Sequence, residues 1–353
     1  MFFPVMRNLL LVPILSSVLC GCNAPECTVS GKFALEPGDT ICLFGSDGGV
    51  LARCAVGSDS SFVLRRPAAG GDIVFLSDRE RLQRPVPVFV EPGAVRIVPD
   101  ARRGYVAAGT PLNDLLGALA GRLEALRVVS ATAEESGSDR KSRELLARAV
   151  SENLDNLLGV YLFAGTELRA AVRDSARLSA AEARWETFSS AVRKHPFAQE
   201  VRGRLEAAKN TRIGSRYTEL NLPDADGNLV ALSSFAGKGR WVLVDFWAAW
   251  CAPSRAELAA LRDVYRKFRE RGFEIYAVSL DNDAERWRRY LRSERLPWPN
   301  VLGVGPDRTG EAAARYCVRS LPANFLVSPE GVVVGKNLTG GALRRKLEEC
   351  LDR

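Results

Sequence analysis

Residues Trp241 to Phe246 form an apolar run broken by one carboxylate, Asp245, and the run ends in Trp247-Ala248-Ala249-Trp250-Cys251-Ala252-Pro253. Few features constrain a chain more. A continuous apolar stretch of this length reads as a strand buried on both faces, which occurs where helices cover a largely parallel sheet. Pro253 suits the first turn of a helix, where its missing N–H is not needed, and helical patterning follows to about Arg271. Cys251 therefore falls where a buried strand ends and a helix begins. The helix N-terminus offers unpaired N–H groups and partial positive charge. Both favour a thiolate, the form of cysteine that attacks sulfur.

The flanking sequence supports an α/β domain over residues 213–353. Asp224-Ala225-Asp226-Gly227 reads as a hairpin turn, Phe273 to Leu280 as a second buried strand, and Ala284 to Glu294 as a helix. A helix is expected near Thr309 to Tyr316, an antiparallel pair at Phe325 to Val327 and Val332 to Lys336, and a closing helix at Leu343 to Leu351. This order predicts a central mixed sheet with helices on both faces.

The segment from Val244 to Arg255 resembles the active-site segment of thioredoxin-like proteins of the TlpA-like thiol:disulfide oxidoreductase type. Ser320-Leu321-Pro322-Ala323 is similar to that family's cis-proline loop, and Val278-Ser279-Leu280-Asp281, Trp287, Trp298 and Gly331 also fit. Nearly the whole mature chain is similar to Bacteroides-type lipoprotein oxidoreductases that carry an N-terminal β domain. The resemblance implies a thioredoxin fold with Cys251 as nucleophile. Trp250 shields the sulfur and offers an apolar docking surface, while backbone beside Pro322 pairs with an extended substrate. It also implies that Asp245 is a buried acid serving a second, resolving cysteine. Here that fourth motif position is Ser254, whose hydroxyl is neither acidic nor suited to forming a sulfur–sulfur bond. Asp245 is then either a residual acid with a raised pKa or a group that tunes Cys251 through water. The family's helix proline is also replaced, with Ala259 near its place, so a straighter helix is expected.

Upstream, Arg7 precedes an apolar run from Leu9 to Leu19, too short for a comfortable bilayer span but suited to a signal peptide over residues 1–21. Leu19-Cys20-Gly21-Cys22 resembles a bacterial lipobox, which implies lipidation of Cys22 and a membrane-anchored, periplasm-facing chain. Simple secretion and an uncleaved anchor are the alternatives, and all three place the folded part where disulfide chemistry is available. Short β-rich runs from Cys27 to about Pro99 predict a small β-sandwich or barrel over residues 22–104. Ser46-Asp47-Gly48-Gly49 is a hairpin turn between two of them. A turn centred near Gly48 would set Cys42 opposite Cys54 and allow a disulfide; two small buried side chains are the other reading. Residues 105–212 read as helical, with a polar loop from Glu134 to Lys141.

The chain has 353 residues and a formal charge of +7, one unit of which is Arg7. The basic residues are spread along helix faces without an aromatic-interleaved block, so no nucleic-acid site is read. His195, the single histidine, precedes Pro196 between helices and completes no metal set, and neither metal nor cofactor is expected. Three functions compete. The first is monothiol exchange through Cys251, with cysteine-containing proteins or small thiols as substrates and an external thiol or donor releasing them. The second is a redox-inactive peptide- or partner-binding module. The third is a peroxidase, disfavoured because Ala248 occupies the place of a peroxide-holding hydroxyl.

Overall fold

A computed structural model describes residues 25–78, 85–130, 135–305 and 310–351. The expected signal peptide over residues 1–21 and the expected lipidation site Cys22 lie outside the described residues. The chain divides into two compact units, one ending at Ala120 and the other beginning at Gly121.

The first unit holds β1 (Glu26–Lys32), β2 (Thr40–Phe44), β3 (Val50–Ala55), β4 (Ser61–Pro67), β5 (Asp72–Asp78), β6 (Val86–Val90), β7 (Gly93–Asp100) and β8 (Gly104–Ala108). They form two four-stranded sheets, β4-β1-β7-β8 and β3-β2-β5-β6. Val29, Phe62 and Val95 of one share a core with Ile41, Leu43, Val74 and Val88 of the other, which is the sandwich arrangement of alternating inward side chains. Strand β8 pairs with β7 from Arg96↔Ala108 to Asp100↔Gly104. The β region thus extends to Ala108, past the expected boundary at residue 104.

The expected Cys42–Cys54 disulfide is absent, and both thiols are free. Asp47 accepts the Gly49 N–H at 2.8 Å and closes the loop tightly, and a bulge at Leu43/Phe44 shifts the pairing. Cys42 then opposes Arg53, while Cys54 opposes Ile41. Adjacent residues on a strand point to opposite faces, so the two sulfurs are on different sides of the sheet.

Helix α1 (Pro111–Ser130) precedes α2 (Glu135–Ser151), α3 (Leu157–Gly165), α4 (Glu167–Arg173), α5 (Leu178–Glu186), α6 (Ser190–Arg193) and α7 (Pro196–Asn210). The expected loop at Glu134 to Lys141 is instead largely the first part of α2. Its Glu, Arg and Lys residues are good helix formers, and Arg140 pairs with Glu144 one turn on at 3.7 Å. Phe163, Trp185 and Phe188 pack with ring centroids 5.7–6.0 Å apart at the centre of the helical layer.

The remainder holds β9 (Asn221–Pro223), β10 (Leu229–Ala231), β11 (Trp241–Trp247), α8 (Ala252–Phe268), β12 (Phe273–Ser279), α9 (Ala284–Glu294), β13 (Asn300–Leu302), α10 (Glu311–Arg315), β14 (Ala323–Val327), β15 (Val333–Lys336) and α11 (Gly340–Leu351). The main sheet has the order β13-β12-β11-β14-β15. Strands β11, β12 and β13 run parallel, while β14 is antiparallel to both its neighbours, β11 and β15. This is the thioredoxin fold. Leu243 and Trp247 pack on one face against Leu258, Leu261 and Phe268 of α8 and Leu343 of α11. Val242, Val244 and Phe246 pack on the other with Tyr276, Tyr316 and Phe325. The alternation assigns Asp245 to the α8 face.

Candidate active site

Cys251 is the N-cap of α8, with φ −90° and ψ 107°, and no side chain caps the helix there. Its N–H donates to the Ala248 carbonyl at 3.1 Å, which turns the chain from β11 into α8. The cysteine retains 8% of its surface. Its Sγ faces the Leu321 carbonyl oxygen across 4.0 Å, and the Leu321–Pro322 peptide is cis. The fold therefore brings Cys251 and the Pro322 loop together from positions 70 residues apart. Trp250, the residue before Cys251, stands 54% exposed.

Beneath the helix start lies a buried polar group that the sequence outlined only in part. Asp245 is 1% exposed and Ser254 is 1% exposed. Asp245 Oδ1, Ser254 Oγ and Glu257 Oε1 have no hydrogen-bond partner among the described protein atoms. Burial, reinforced by the Glu257 carboxylate, pushes the Asp245 carboxyl up to about 7. Burial also raises Glu257, against the opposing pull of the Gly340 N–H. Glu257 was not among the residues singled out from the sequence. Its signal was spacing: it follows Ser254 by three positions, one helical turn.

Asp281 is a second such residue. It is 2% exposed, and its Oδ2 accepts the Ala249 N–H at 2.8 Å and the Ser279 hydroxyl at 2.8 Å. The Leu280 N–H donates to the Trp247 carbonyl at 2.8 Å. The loop leaving β12 thereby holds the loop that carries Trp250 and Cys251. Arg255 does not point at the sulfur. Its Nη1 donates to the Ala249 carbonyl at 2.8 Å. Helix α8 runs unbroken through Ala259.

The other cysteines are engaged elsewhere. Cys317 is buried, and its thiol donates to the Arg204 carbonyl of α7 at 3.7 Å. Cys350 is half-buried on α11, and all six described cysteines are free. His195 caps α7 by accepting the Phe197 N–H at 3.2 Å. Among the described residues no cluster of His, Cys, Asp or Glu could hold a metal.

The sequence profile of the AhpC/TSA family matches residues 213–336. Over 127 residues the chain is 34% identical to the thiol-disulfide oxidoreductase ResA of Bacillus subtilis strain 168, an alignment spanning 36% of this chain and 67% of that protein. The chain belongs to the thioredoxin-fold thiol-disulfide oxidoreductases. This oxidoreductase is also 33% identical over 136 residues to ResA of Oceanobacillus iheyensis, covering 37% of this chain and 67% of that one. Among solved structures, it is 36% identical to the thioredoxin domain of a Bacteroides vulgatus thiol-disulfide oxidoreductase. That match covers 40% of this chain and 98% of the other, with a TM-score of 0.37.

Proposed function

We propose that this oxidoreductase exchanges thiols and disulfides through Cys251 alone. The observation that carries the reading is Ser254, a buried hydroxyl one turn into α8 where a resolving thiol would have to be. The Cys251 thiolate attacks one sulfur of a substrate disulfide. The old sulfur–sulfur bond breaks, its electron pair leaves with the other sulfur, and that sulfur takes up a proton. Cys251 remains in a mixed disulfide. A small thiol, or the substrate's own second cysteine, then attacks this bond and restores the Cys251 thiolate. The protein gains no electrons over the cycle, so isomerisation and release of small-thiol adducts are favoured over net reduction. Trp250 supplies the docking surface, and backbone beside Pro322 pairs with extended substrate. The substrates are cysteine-containing periplasmic proteins or low-molecular-weight thiols. On this reading residues 1–21 are a signal peptide and Cys22 is acylated, so that the chain acts in the cell envelope as a lipoprotein; among the described residues no helix is long and apolar enough to cross a membrane.

The test is adduct trapping. Incubated with a disulfide-linked peptide, the protein is expected to gain a reducible mass that Cys251→Ser abolishes and an added thiol removes. Ser254→Cys is expected to shorten the adduct's lifetime and release two substrate thiols. A wild-type protein that forms no adduct favours the binding module. An adduct that resolves without added thiol means another cysteine does the second step.

A further inference from the structure

A groove opens two residues before Cys251, lined by Ala249, Arg255, Asp283, Arg286, Arg289 and Tyr290. Its floor is continuous with the active-site core, since the Tyr290 ring lies 5.5 Å from that of Trp247. Arg286 and Arg289 are three apart on α9 and so share one face of the helix. Both are exposed, as is Arg255. The groove therefore carries three guanidinium groups against one carboxylate.

That carboxylate is already engaged. Asp283 is the N-cap of α9, and its side chain accepts the Arg286 backbone N–H at 2.9 Å. The neighbouring acids are engaged as well: Glu285 with Arg288 at 2.6 Å and Glu294 with Arg262 at 2.9 Å. Among the described residues neither Arg286 nor Arg289 forms a close ion pair; the Arg286 backbone N–H, with the charges of Arg289 and Arg286 acting from farther off, holds the Asp283 carboxyl below the usual range. Arg255 uses Nη1 on the Ala249 carbonyl, which anchors its head at the groove and leaves further N–H donors of the fork available. Two forks without an ion-pair partner, and a third with donors to spare, suit carboxylates, which guanidinium binds in paired hydrogen bonds.

We infer that this groove selects acidic peptides: substrates whose reacting cysteine is flanked by carboxylates, seated against Arg255, Arg286 and Arg289 while the sulfur meets Cys251. The inference rests on the exchange reading for its chemistry, and the covalent step is the one written above. The groove's charge preference stands apart from it and is measured apart from it.

Three disulfide-linked peptides of one length are compared, with Glu, Gln or Lys on both sides of the cysteine. The readout is the rate of Cys251 adduct formation by mass spectrometry. At low salt the Glu peptide is expected to react roughly tenfold faster than the Lys peptide. At about 0.5 M salt the ratio should shrink to within about twofold, because the Debye length is then only a few ångströms. Arg286→Glu with Arg289→Glu should invert the low-salt ratio, and Arg286→Lys with Arg289→Lys should keep its sign. Glutamate at position 286 is three residues after the N-cap, where it favours the helix, so the charge-reversed protein should remain folded. A second measurement uses the same peptides with serine for cysteine and follows binding by Trp250 fluorescence. Equal rates and equal affinities for Glu and Lys peptides at low salt overturn the inference, as does a ratio that charge reversal leaves unmoved. If no peptide forms an adduct but the serine-containing Glu peptide binds selectively, the exchange reading fails and the groove stands.

Discussion

At Asp245 the chain places a carboxylate in a strand whose other side chains are apolar or aromatic, where its buried Oδ1 finds no hydrogen-bond partner. The consequence is a pH dependence of stability. An unfolded aspartate loses its proton near pH 4, whereas folded Asp245 holds it to about pH 7. Between those values the folded chain binds one proton more than the unfolded chain, so stability falls as pH rises across the window and levels off above it. Three pKa units correspond to about 4 kcal/mol. Asp245→Asn removes this term. The prediction is that the variant and wild type unfold at similar denaturant concentrations near pH 4. By pH 8 the variant should be more stable by up to about 4 kcal/mol. Denaturant titrations followed by tryptophan fluorescence at both pH values measure it. A difference between the two proteins that does not change with pH would mean that Asp245 is ionised or partnered in the folded state.

Two loops, one leaving β11 and one leaving β12, are tied by the Asp281 carboxylate and by the Leu280 N–H on the Trp247 carbonyl, and this is a property of the elements rather than of Cys251. Asp281→Ala removes the acceptor for the Ala249 N–H. A hydrogen bond to a charged group contributes about 1.5–3 kcal/mol, so local opening should increase about tenfold to a hundredfold. Amide exchange at Ala249 reports this directly. Asp281→Asn keeps a side-chain acceptor and should retain most of the protection, and unchanged exchange in Asp281→Ala would show that other contacts hold the loop. Asp281 also marks how far the sequence could be read. Strands β11 and β12 and helices α8 and α9 were legible because apolar periodicity and the Trp250–Pro253 segment are local signals. The partnership of Asp281 with Ala249 joins positions 32 apart, and no local pattern encodes it. The Arg255–Arg286–Arg289 groove was hidden for the same reason. The register of Cys42 and Cys54 failed differently: a bulge and an aspartate-closed loop moved the pairing by one residue, which is enough to reverse a side chain's face. Strand β8 was a short stretch that its pairing with β7, not its composition, decided, while the start of α2 was a polar stretch whose helix-forming residues outweighed its lack of an apolar pattern.

Six described thiols and no disulfide make a chain that depends on burial to keep its sulfur chemistry selective. Cys27, Cys42 and Cys317 are buried, and burial raises the thiol pKa of Cys27 and Cys317, which suppresses their thiolates. Cys54 and Cys350 are partly exposed and lie outside the active-site loop. On the proposed lipoprotein reading, Cys22 is acylated and takes no part in the redox work. A chain held by one acyl group leaves a bilayer readily, while multiple acyl chains hold it firmly. Wild-type protein expressed with its leader in a bacterial host should therefore sediment with membranes, resist a salt wash and dissolve in detergent. Cys22→Ser should move it to the soluble envelope fraction or leave its precursor unprocessed, and should abolish incorporation of labelled fatty acid. Adduct formation at Cys251 by the soluble Cys22→Ser protein should match wild type, because the anchor sets where the sulfur acts and not how it reacts. Label that persists in Cys22→Ser would transfer the modification to another residue, and membrane association without label would assign anchoring to the apolar run from Leu9 to Leu19 itself.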